Sequence, residues 1–108
     1  MAKSIIFILP KNTKHALVDD CWEFYSDQII ANIVEDKLIE TYKLEFMEEY
    51  LEIKKYENTD IDMSVIFTDK KITEIYIRTS IEKDVFVNQL SVLLKDDEVE
   101  IFIPDTLH

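Results

Sequence analysis

His15, Asp19 and Cys21 are the closest this chain comes to a nucleophilic trio: an imidazole and a carboxylate four residues apart, with a thiol two residues further on. A thiolate nucleophile needs positive charge or a helix N-terminus to lower its pKa. Asp19 and Asp20 act in the opposite direction, and in a helical register Cys21 shares a side with Val18 and Trp22. Cys21 is therefore read as a small buried packing residue, and no catalytic residue is assigned.

Metal chemistry fares no better. Zinc takes four ligands in structural sites, and the chain offers one Cys and two His, of which His108 is terminal. A hard cation would have to rely on Asp60 and Asp62, or on Asp96, Asp97 and Glu98, which read by default as solvated loop carboxylates. Acid–base pairs need one carboxyl in an apolar pocket, and none of the 23 acidic residues is marked as buried by its neighbours. Tyr42, Tyr50 and Tyr56 read as flanking the core in preference to lining a pocket. No metal and no cofactor is assigned.

The 108 residues contain no glycine, against an average usage of about 7%. Phosphate-cradling loops, the nucleophile elbow and the calcium-binding EF-hand loop all need a residue without Cβ, so these chemistries are excluded. With 16 Ile and 11 Lys against three Ala and one Arg, the profile is that of a coding sequence poor in GC-rich codons. The exclusions hold whatever the origin of the bias.

Charge is the second informative feature. The net charge is −11, and residues 19–66 alone carry −10. Nucleic acid is disfavoured as a direct ligand, because binding to phosphates is driven by Lys and Arg releasing counterions; an anionic membrane is disfavoured for the same reason. The complement of such a surface is a basic protein. Two groups of carboxylates are the candidate partner-binding residues: Asp19, Asp20, Glu23 and Asp27, then Glu45, Glu48, Glu49 and Glu52. The bland alternative is a solvated face that keeps the protein soluble.

These residues must be positioned by elements that the pattern suggests in turn. Ser4–Leu9 is a continuous apolar run stopped by Pro10, which predicts a strand buried on both faces. Thr13 is the expected N-cap of a helix to about Asp36, with Val18, Trp22, Tyr25, Ile29 and Ile33 inward and Asp20, Glu23 and Asp27 outward. Residues 37–57 admit two periods. Tyr42, Leu44 and Phe46 alternate as in a strand, but Met47 breaks the alternation, and a second amphipathic helix over residues 40–56 is preferred, leaving its strand alternative open. Asp60–Thr68 and Ile72–Thr79 form a hairpin turned at Asp69-Lys70-Lys71. Thr79 and Glu82 have capping-box spacing for a third helix to about Lys95, and Glu98–Ile103 closes the chain as a strand.

The order β-α-α-β-β-α-β predicts a single α+β domain over residues 1–108. Its expected architecture is ferredoxin-like: a split βαβ, four-stranded, mainly antiparallel sheet with helices on one face and one extra amphipathic helix. One unpairable cysteine and no long apolar segment make the cytoplasm the expected location. The expected function is non-enzymatic: binding and neutralising a basic protein, as an immunity protein or antitoxin blocks a nuclease toxin, or as an inhibitor blocks a nucleic-acid enzyme. The alternative is a regulatory or assembly module that self-associates through sheet edges as a homodimer or binds a small ligand.

Overall fold

A computed structural model describes residues 3–104 of the chain. The first apolar run is strand β1 (Ser4–Pro10), and the chain then folds a hairpin from β2 (Lys14–Val18) and β3 (Cys21–Tyr25). Asp19 and Asp20 form its two-residue turn with φ of 51° and 65°, the double left-handed geometry that matches the twist of antiparallel strands. Helix α1 (Asn32–Tyr42) ends at Lys43, whose left-handed φ of 53° turns its N–H back to the carbonyl of Ile39. Four strands follow as a meander: β4 (Glu45–Tyr50), β5 (Ile53–Glu57), β6 (Ile61–Thr68) and β7 (Lys71–Thr79). Helix α2 (Lys83–Leu93) and strand β8 (Val99–Phe102) complete the described chain.

The main sheet has six strands in the order β4-β5-β6-β7-β1-β8, with every neighbouring pair antiparallel. Strands β7 and β8 flank β1 and therefore run parallel to each other, which requires the crossover that α2 supplies. Alternate strand residues Ile6, Ile8, Ile61, Met63, Val65, Ile75 and Ile77 point to one face and are buried against Val34 and Leu38 of α1 and Phe86 and Leu90 of α2. Each such side chain contributes about 1.5–3 kcal/mol of burial. On the opposite face the β2–β3 hairpin covers the β1–β8 end, where its Phe24 and Trp22 pack on Phe7 and Phe102 with ring centroids 4.8 Å and 4.9 Å apart.

This architecture corrects the ferredoxin-like, four-stranded expectation: among the described residues there are six strands plus a two-stranded hairpin, and two helices where three were expected. The first predicted helix is mostly the β2–β3 hairpin. Thr13 is no N-cap; its hydroxyl bonds the Pro10 carbonyl and its N–H bonds Glu100. The Trp22 and Phe24 pair matches a period of two as well as Trp22 and Tyr25 match a helix, and Asp19-Asp20 supplies the turn that the absence of glycine had hidden. The second predicted helix is the β4–β5 hairpin. A bulge at Met47, between Phe46 and Glu48, produces the break in alternation that had favoured a helix.

The cap of α2 is Glu82 itself, whose carboxylate accepts from the N–H groups of Asp84 and Val85; Thr79 instead bonds Asp60 and Ile81. Cys21 is exposed at the hairpin tip, not buried. Of the three tyrosines, Tyr42 and Tyr56 flank the core and Tyr50 does not. Strand β1, the β6–β7 hairpin, α2 and β8 lie where the sequence pattern places them. His108 lies outside the described residues.

Candidate functional site

Strand β4 occupies one edge of the main sheet, so one side of its backbone has no strand partner. An unpaired edge is a template for another strand, and soluble proteins usually blunt it. Here the edge is unusually apolar at its tip: Phe46, Met47, Tyr50 and Leu51 are 57%, 49%, 68% and 78% exposed. Leu51 also takes a left-handed φ of 56° in the turn into β5, a conformation that an L-residue adopts at a cost. Beside these side chains lie Glu45, Glu48, Glu49 and Glu52, all exposed.

Strand pairing fixes how those carboxylates are used. Glu48 lies opposite Lys55 and forms an ion pair with it at 3.7 Å, an exposed contact of small energetic value. Glu49 lies opposite Lys54, whose ammonium sits 5.2 Å from the Phe67 ring centroid. Glu52 accepts a hydrogen bond from the Asp69 N–H at 3.2 Å. Glu45 is directly opposite Glu57, a like-charge pair that weakens the hairpin. The strand itself, with the Glu52 turn, carries four negative charges and no positive one.

Beneath this edge the hairpin is tied to α1. Phe46 packs edge-on against Tyr56 with ring centroids 5.7 Å apart, and the Tyr56 hydroxyl donates to Glu35 of α1 at 2.9 Å. Burial, and then the Glu35 carboxylate, hold the phenol well above its ordinary pKa. Glu35 is nearly buried, and this bond is its partner from the β4–β5 hairpin.

The other predicted acids lie elsewhere. Asp19 and Asp20 form the tip of the β2–β3 hairpin, Glu23 is on its outer face and accepts from the Tyr25 hydroxyl, and Asp27 follows in the connection to α1. That hairpin packs on β1 and β8, whereas β4 is the opposite edge of the sheet. The two carboxylate groups would have lain together had both segments been neighbouring helices; the fold separates them. Phe46, Met47, Tyr50 and Leu51 were missed as surface residues because a helical register buries them. The alternation of Tyr42, Leu44 and Phe46 was the signal for an exposed strand.

Among the described residues no group of three or more His, Cys, Asp or Glu is arranged to hold a metal ion, and no helix is long and apolar enough to cross a membrane. No protein-family model matches the chain, and no curated protein or solved structure matches it either.

Proposed function

We propose that this protein is a non-enzymatic binding module that captures a basic protein partner by adding one of the partner's strands to the open edge of β4. The observation that carries the reading is the coincidence, on one unpaired strand edge, of exposed Phe46, Met47, Tyr50 and Leu51 with four carboxylates. Main-chain hydrogen bonds would supply affinity, the aromatic and aliphatic side chains would act as anchors, and the acidic rim would select lysine- and arginine-rich segments. Relief of the Glu45–Glu57 repulsion by an incoming cation adds to that selectivity. A second copy of the chain is the poorer occupant, because pairing two β4 strands sets four carboxylates against four with no cation on either strand.

An inhibitor that covers the cationic face of a nuclease toxin or another nucleic-acid enzyme is the partner relationship this surface suits. A cytoplasmic setting goes with this reading, since an exposed thiol such as Cys21 stays reduced there. The test uses a defined probe and a native one. A short peptide alternating lysine with valine is expected to shift the amide NMR signals of residues 45–52 and to lose most of its affinity when Glu45, Glu48, Glu49 and Glu52 are all changed to Lys. The same charge-reversed chain, used as bait beside the wild type in the native cell, is expected to lose a basic partner that the wild type retains and binds as a purified pair. Undiminished binding by the reversed chain overturns the reading.

A further inference from the structure

On the face of the main sheet away from the helices, the chain entering and leaving the β2–β3 hairpin stands beside β6 and β7 and borders an open cleft of about 390 Å3. That volume falls within the range of small-ligand sites. Its lining is about half polar and half apolar and carries one charge. The hydroxyls of Thr13, Ser26, Thr68 and Thr73 and the amide of Gln28 contribute neutral groups, Phe24 and Ile66 contribute apolar surface, and Glu74 contributes a carboxylate.

Glu74 has neither a hydrogen bond nor an ion pair with another described residue, although its position opposite Ile66 on the sheet leaves it only partly exposed. Burial raises its carboxyl pKa above the ordinary value, the mark of an anion without a counter-charge. Two of the hydroxyls donate to the backbone and so leave oxygen lone pairs free, Thr13 to the Pro10 carbonyl and Thr73 to the Ile66 carbonyl at 3.3 Å; Thr68 and Thr73 lie 3.4 Å apart, and Ser26 already accepts from the Gln28 N–H at 3.0 Å and keeps one further lone pair.

We propose that this cleft binds a primary ammonium or guanidinium group, with the Glu74 carboxylate as counter-ion and the surrounding hydroxyl and amide oxygens as neutral acceptors. Three ligand classes fit less well. An anion meets Glu74 and no cationic side chain in the cleft. A divalent cation such as calcium wants six to eight oxygen ligands with several carboxylates among them, and the cleft has one carboxylate. A wholly apolar ligand would leave the hydroxyls and Glu74 without partners. An ammonium needs three acceptors around one charge, and the apolar ring of Phe24 gives its carbon stem a surface to lie on.

The group can come from a free small amine or from the side chain of a protein, and one titration separates the two. The free full-length chain is titrated in low salt with diaminobutane, with the blocked amino acid N-acetyl-lysine methylamide, and with butanediol as a neutral control, following backbone amide NMR signals. Saturable shifts centred on Gln28, Thr73 and Glu74 are expected with the two amines and none with butanediol. The Glu74→Gln variant is expected to weaken binding by about tenfold or more, and Glu74→Asp to keep part of the affinity. Equal binding of the blocked lysine assigns the site to a protein side chain; preference for the diamine assigns it to a small molecule. Shifts that survive Glu74→Gln unchanged, that never saturate, or that fall only on the carboxylates of β4 overturn the proposal. Because no partner is present, the outcome is independent of binding at the β4 edge.

Discussion

Eight of the described residues, none with glycine's freedom, occupy left-handed backbone: Asn12, Asp19, Asp20, Lys43, Leu51, Asp69, Lys70 and Glu98. Asn and Asp tolerate this geometry because their short polar side chains bond locally; Lys and Leu have no such compensation. Replacing Lys70 or Leu51 by Gly is therefore expected to raise stability by about 0.5–1 kcal/mol, read as an upward shift in the urea midpoint. The pair of hairpins built on Asp19-Asp20 and Asp69-Lys70 has positive φ at both turn residues, so a Gly at the second position of each is the informative variant. A separate residue-scale test concerns Glu45 and Glu57, which face each other across the strands. Glu45→Lys is expected to stabilise the free protein by roughly 0.2–1 kcal/mol while weakening the basic partner, so a chemical melt and a binding titration should move in opposite directions.

At the scale of elements, the β2–β3 hairpin is held to the sheet by aromatic side chains rather than by strand pairing, since it forms a sheet of its own. Phe102 is the centre of that contact, with ring centroids of Trp22, Phe24 and His15 4.9, 5.5 and 4.4 Å away. Phe102→Ala should cost about 2–3 kcal/mol, below the 3–5 kcal/mol of a fully buried aromatic because Phe102 is only partly buried. The sole tryptophan reports it directly: detachment of the hairpin is expected to red-shift Trp22 emission and to open residues 11–28 to proteolysis before global unfolding. A hydrogen bond from Tyr56 to Glu35 ties β5 to α1. The Tyr56 pKa is raised, so the folded form retains its proton where the unfolded form begins to lose it. That stability is fully present below pH about 10 and declines as pH rises above it. Tyr56→Phe is expected to remove this part of the alkaline decline, measured as the urea midpoint against pH.

For the whole molecule, the dominant long-range term is the net charge of −11. Self-repulsion opposes compaction and is screened within about 8–10 Å at physiological salt. Added sodium chloride is expected to raise the melting temperature of the free protein and to slow its association with a basic partner. The same charge bears on oligomerisation. With the apolar strip of β4 bounded by carboxylates, sedimentation equilibrium in low salt is expected to give a monomer, and a tight dimer abolished by Tyr50→Lys would move the reading of β4 to self-association.

The local pattern is decisive where one register buries a complete face. The continuous run of β1, the alternation Ile61, Met63, Val65 on β6 and the spacing of Phe86, Leu90 and Leu94 in and after α2 each have one solution, and the structure adopts it. The list of carboxylates, their net charge and the exclusion of glycine-dependent loops were likewise legible in composition alone. Residues 13–57 were not. Their apolar residues fit a helix and a strand nearly equally, and the choice depended on partners remote in sequence: Phe102 for the β2–β3 hairpin, and β6, paired with β5 from Ile53 opposite Ile66 to Glu57 opposite Asp62. Strand hydrogen bonds and cross-strand packing come from other segments, whereas helix hydrogen bonds are local, so sequence reading over-counts helix where the two patterns tie. By itself the sequence determined a strongly acidic, apolar-rich chain with no glycine-dependent site. Only tertiary structure decided that four of its carboxylates share an open strand edge with exposed aromatic residues, because that edge exists only after β5 has taken its place beside β6.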